Sequence, residues 1–151
     1  VKLTGATAIA IENAIGEVTV NVTTTTAPVT EYTAGEDLPA KSVVCVGETA
    51  GKLYLTKADD WTTMPAIGIS NIATETGETV AIYQTGKVAN ARREANFSPD
   101  DKIFVSPDTA GKVTKTPPEG VGKIVQSLGR AINESDIILE IDHTVLELEE
   151  V

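Results

Sequence analysis

The tetrapeptide Thr-Ala-Gly-Lys occurs at 49–52 and again at 109–112, and its surroundings repeat with it. At the 60-residue spacing that carries Gly51 onto Gly111, Pro39 falls on Pro99, Val43 on Ile103, Val44 on Phe104 and Thr56 on Thr116. One residue further out of step, Ala66-Ile67-Gly68-Ile69 corresponds to Ser127-Leu128-Gly129-Arg130. A chain built this way is expected to fold as two related strand-turn-strand units, about 34–88 and 95–145. Two copies are too few for a solenoid, which needs at least about three. They suit a small β-sandwich or barrel in which each half supplies part of one core.

The pattern inside each copy is that of short strands cut by turn residues. Lys102–Ser106 and Lys112–Lys115 flank a turn at Pro107–Gly111, and Pro117-Pro118 separates them from an apolar run, Lys123–Leu128, expected to end at Gly129. Proline lacks the N–H a ladder needs, and glycine accepts the positive φ of tight turns. In the first copy Lys41–Val46, Lys52–Thr56, Ala66–Ile69 and Glu78–Gln84 read as strands, with a turn at Gly86-Lys87. Asp136–Ile141 and Val145–Leu148 close the second. Asp59, Asp60 and Trp61 fit a loop or one Asp-capped helical turn. Asn90–Ala95 alone has good helix formers, and it is too short to hold a helix without packing. Many short strands at intervals of about 8–12 residues indicate an all-β domain.

Residues 1–33 stand apart, rich in Thr and Ala. Ile9 and Ile11 alternate, as do Val18, Val20 and Val22, which is the period of half-buried strands. Glu12–Gly16 fits a turn between them. This segment is either a hairpin on the main domain, 34–151, or an extended β arm that pairs with a neighbouring subunit. Alternating strands with nothing local to cover them are the kind that join another sheet.

Little in the composition offers catalysis. Aromatic residues are 4% of 151, so the core must come from Val, Ile, Leu and Ala. A formal net charge of −10 repels phosphate backbones and anionic bilayers, which argues against nucleic-acid and membrane partners. No apolar run approaches the ~20 residues of a membrane span, and no charged-then-apolar leader opens the chain, so synthesis in the cytoplasm is expected. Three Asn-X-Ser/Thr sites, at Asn21, Asn96 and Asn133, therefore read as chance. Cys45, the only cysteine, lies in an apolar VVCVG run and reads as a buried hydrophobe. His143 is the only imidazole, so neither a zinc set nor a Ser–His or Cys–His pair has support. No metal or other cofactor is expected. Asp100, Asp101 and Asp108 lack EF-hand spacing and suit turns better than calcium. Neighbouring carboxylates such as Asp59-Asp60 point to opposite faces of a strand and do not converge on a substrate. Arg92, Arg93 and Arg130 are the only arginines. On so acidic a chain, Arg92 and Arg93 are candidates for pairing with an acidic patch on a neighbouring subunit.

The segments GEDLPAKSVV, PAIGIS, GETVAIYQTGKV, SPDDKIFVSPDTAGKVTKTPPEG and GKIVQSLGRAI, within Ala34–Ile141, resemble a domain widespread in structural proteins of tailed phages. The chain looks most like the capsid decoration (cement, or head-stabilising) proteins and is also similar to modules in some phage fibres. These marks are turn and core residues, which speak for fold more than for role. The resemblance implies a β-rich, non-enzymatic virion protein. It would sit as a homotrimer on the outer capsid surface, clamp the major capsid protein and stiffen the shell against packaged DNA. An N-terminal arm reaching capsid or neighbouring subunits is implied too, which makes Ile9, Ile11, Val18, Val20, Val22, Arg92 and Arg93 the candidate contacts. The alternative is a fibre or baseplate module binding a host-surface receptor. Trp61, Tyr32, Tyr54 and Tyr83 are scattered in sequence and form no obvious sugar-stacking cluster.

Overall fold

The computed structural model describes residues 31–150 and the backbone of two N-terminal strands, β1 (Ile9–Ala14) and β2 (Glu17–Val22). Those two form an antiparallel hairpin whose register sets Ile9 opposite Val22 and Ile11 opposite Val20. The chain is all-β, and the one helical element among the described residues is a 3-10 turn at Trp61–Thr63. Asp60 caps it, its carboxylate accepting from Thr62 N at 2.7 Å, as the Asp-rich loop predicts. Among the described residues no helix is long and apolar enough to cross a membrane.

A first barrel closes from β3 (Glu31–Ala34), β4 (Val43–Val46), β5 (Lys52–Leu55), β6 (Ala66–Ser70) and β7 (Thr79–Tyr83). Its strands run β3-β5-β4-β6-β7 and back to β3, which is parallel to β5 and antiparallel to β7. A second unit follows from β8 (Thr85–Val88), β9 (Lys102–Val105), β10 (Val113–Thr114), β11 (Ile124–Val125), β12 (Ser127–Ala131), β13 (Ile137–Glu140) and β14 (Leu146–Glu147). Five of these lie in the order β10-β9-β12-β13-β8, and β11 pairs with β14. Strand for strand this repeats β5-β4-β6-β7-β3. Even the closing contact recurs, reduced to a parallel bridge between Arg93 and Val113 in which Val113 N donates to Arg92 O at 2.9 Å.

The repeat extends to single hydrogen bonds. Leu38 N donates to Thr74 O at 2.8 Å and Phe97 N to Glu134 O at 3.1 Å; Lys52 N donates to Thr49 O and Lys112 N to Thr109 O. Gly51 and Gly111 both sit at φ 75°, the left-handed region that glycine reaches without steric penalty.

Three boundaries differ from the sequence reading. Glu31–Thr33, grouped there with the arm, belong to β3 of the first barrel, where Tyr32 packs half-buried on the core. Thr85–Val88 was expected to turn at the end of the first copy. It is instead the opening strand of the second, because its ladder partner is β13, with Gly86 opposite Leu139. Gly129 does not end its run but lies inside β12 at a bulge, where a Cβ would stand 2.0 Å from Ile138 O. Gly68 in β6 is pressed the same way on Tyr83 O, at 2.6 Å. Glycine is there for close strand approach, not for a stop.

No helix forms at Asn90–Ala95. Asn90 takes φ 53°, its N–H donates to Asp136 Oδ1, Ala91 N donates to Ser135 O, and Ala91 and Phe97 are buried. Backbone bonds to the neighbouring hairpin outcompete the internal bonds of a helix that short.

Two cores result, and they are unequal. Ala34, Leu38, Val44, Leu53 and Val80 fill the first barrel. Val43, Met64 and Ile69 of that barrel instead join Ile103, Val105, Leu128, Ile137 and Leu139 in a larger core shared with the second unit. Val43, Val44 and Cys45 of β4 are therefore covered on both faces, which explains their unbroken apolar run, and Val46 at the end of the strand is exposed.

Candidate functional site

The candidate contact residues fall on two separate features. Ile9, Ile11, Val18, Val20 and Val22 are all in the β1–β2 hairpin, whose side chains lie outside the described residues. Arg92 and Arg93 sit in the connection between β8 and β9, beside a groove of about 430 Å³ lined also by Lys41, Asn90 and Asn96. Both arginines are half-buried. Arg92 N donates to Lys41 O at 3.0 Å, and its Nη1 donates to Ala110 O at 2.9 Å, so it bridges the barrels. Arg93 is tied locally, Nε and Nη2 to Asn96 Oδ1 and Nη1 to Asn90 Oδ1. Among the described residues neither guanidinium meets a carboxylate within 4 Å. Lys41 stacks its ammonium over Tyr83, 4.5 Å from the ring centroid.

A second concavity, about 650 Å³, opens between the barrels and is lined by Pro65, Gln84, Gln126, Glu140 and His143. Gln126 is its organising residue. Its Oε1 accepts from Ala66 N at 2.8 Å, while Nε2 donates to Ala66 O and to Asp142 O. The side chain thus imitates a strand partner for β6, with its donors and acceptor engaged by the chain itself. A lone amide inside the apolar run Ile124–Leu128 was its signal in the sequence, since a buried polar group must find partners. His143 is exposed on the turn after β13, while Cys45 is fully buried in β4 and donates to Tyr54 O. Burial pushes the Cys45 thiol up, away from the reactive thiolate.

The acidic residues are held by turns and ion pairs. Asp100 pairs with Arg130 at 2.8 Å and Asp101 with Lys115 at 3.7 Å. Among the described residues no cluster of three or more His, Cys, Asp or Glu is placed to hold a metal. Asp136 accepts from Asn90 N, Asn133, Lys87 and Ser135, and the Asn90 N–H above all holds its carboxyl down at about 2.

The two Thr-Ala-Gly-Lys turns remain, one exposed at 49–52 and one packed at 109–112. They share a conformation and differ in surroundings: Gly111 is buried against Leu55, Arg92 and Ser42, and nothing lies within 4 Å of a Cβ built on Gly51. No protein-family model matches the chain, and no curated protein is significantly similar to it.

Proposed function

We propose that the protein is a structural virion component, a homotrimeric decoration protein that binds the major capsid protein on the outer surface of a phage head and stabilises the shell. What supports the reading is the tandem barrel. The motifs that resemble decoration domains are turns and bulges of two copies of one fold, as in Gly111 and Gly129, and the alternating β1–β2 hairpin stands ahead of them. Its geometry suits a part that holds others together: Gln126, in the inter-barrel cleft, is engaged with the chain's own backbone. An acidic exterior keeps such a part off packaged DNA.

The test is gold labelling of the protein on intact particles, with shells lacking it heated or osmotically shocked alongside. Label spaced over the head, with shells that open earlier without the protein, is the expected result. Label at the tail tip would replace this reading with the fibre module, and unlabelled particles would remove both.

A further inference from the structure

The two barrels meet head to tail, and that contact leaves one copy of each half unused. The turn at 109–112 is the inserted half: Gly111 O accepts from Val43 N at 2.9 Å, Gly111 N donates to Thr56 O at 2.8 Å, and Ala110 O accepts from Arg92 Nη1. Just before it, Ser106 is fully buried and its carbonyl accepts from Ala58 N. The turn therefore wedges between β4 and β5 where those strands splay. The contact is not reciprocal. The identical turn at 49–52 has the same φ at its glycine but is exposed, and Val46 before it is 45% open to solvent where its counterpart Val105 is fully buried. The receiving half on the second barrel is open as well. Thr116, the counterpart of Thr56, is exposed, and among the described residues no N–H donates to its carbonyl.

We infer that the 49–52 turn of one chain inserts between β9 and β10 of a second copy, repeating between chains the contact that joins the barrels within each. The occupant is a second copy because the same four residues already make this contact once in the chain, with two hydrogen bonds to β4 and to the residue after β5. At the second receiving site Asp101, Lys102 and Lys115 stand where the first has Ser42, Val43 and Leu55, and the incoming turn carries exposed Glu48, which the two lysines can meet. Lys115 is held 3.7 Å from Asp101 at 42% exposure, within reach of an incoming carboxylate. A non-reciprocal contact of this type closes into rings or propagates as filaments, never as a two-fold pair. It deepens the homotrimer proposed above by giving it a contact, and it is read without capsids, so each fails separately. Chains that associate this way yet are missing from particles would leave this contact standing and remove the virion role.

The experiment measures the mass of the full chain in solution, with Ala50→Arg blocking the inserted turn and Thr116→Arg blocking the receiving site. Both positions are exposed, and unchanged far-ultraviolet circular dichroism checks the fold. The unmodified chain is expected to exceed one copy, and each variant alone to fall to a single chain. A mixture of the two is expected to form a complex of two chains and no larger, because one intact turn meets one intact site. A single-chain mass for the unmodified protein, variants that keep its mass, or a mixture that stays monomeric would each overturn the inference.

Discussion

Gly51 and Gly111 form a matched pair for measuring what joins the barrels. Both sit at φ 75° in the same tetrapeptide, so replacing either with Ala incurs the same left-handed penalty, about 1 kcal/mol. Only at Gly111 does the new methyl meet anything: it would lie 2.7 Å from Leu55 Cδ2, 3.0 Å from Arg92 Nη1 and 3.2 Å from Ser42 Cβ. Leu55 Cδ2 is the tip of a half-buried side chain and can swing aside, but Ser42 is fully buried and Arg92 is held by Ala110, so relief also needs the turn to shift by a few tenths of an ångström. Overpacking of that kind adds about 1–3 kcal/mol. Gly51→Ala should therefore cost about 1 kcal/mol and Gly111→Ala about 2–4 kcal/mol, the latter a drop of roughly 5–14 °C in melting temperature for a chain of this size. Urea titration at several chain concentrations separates this cost from any change in self-association. Equal costs for the two substitutions would refute the docked-turn account of the inter-barrel contact.

Three further expectations follow from single residues. Gln126→Leu strips Ala66 N–H, Ala66 C=O and Asp142 C=O of their partner and should destabilise by about 3 kcal/mol, while a cost under about 1 kcal/mol would show the amide to be dispensable. Asp136 is held at about 2 against an ordinary 3.8, so its stabilising contribution is complete above about pH 4 and fades as pH falls through 2. Asp136→Asn should flatten that part of the stability profile, and an unchanged acid limb in urea titrations would contradict the assignment. The Cys45 thiol, fully buried and with its pKa raised by burial, should resist alkylation in native buffer and react once urea unfolds the chain; mass spectrometry reads the difference.

The repeat was legible in the sequence because turn chemistry is local. Gly51 and Gly111 mark equivalent backbone positions whatever surrounds them, whereas Pro39 and Pro99 fall one residue apart, because Leu38 matches Phe97 and Lys41 matches Asp100. The strand runs were legible too, since VVCV and KIFV are apolar beyond what a half-exposed strand needs. Strand pairing was not. Thr85–Val88 carries a turn-like Gly-Lys, and only its ladder with β13 makes it a strand of the second unit. Glycine is ambiguous in the same way: at Gly129 a missing side chain admits the neighbouring backbone, and sequence alone cannot tell that from a stop. The groove beside Arg92 and Arg93 was half visible. The charges could be read, but their ties to Ala110, Asn90 and Asn96 depend on how the β8–β9 connection lies across both barrels.

Val43, Met64 and Ile69 leave the first barrel's interior and complete the core of the second. Pulling the barrels apart would thus open the larger of the two interiors to water, so the second unit is no stable resting point once the first has gone. A load applied to either end meets one large unfolding event, not two small ones in series.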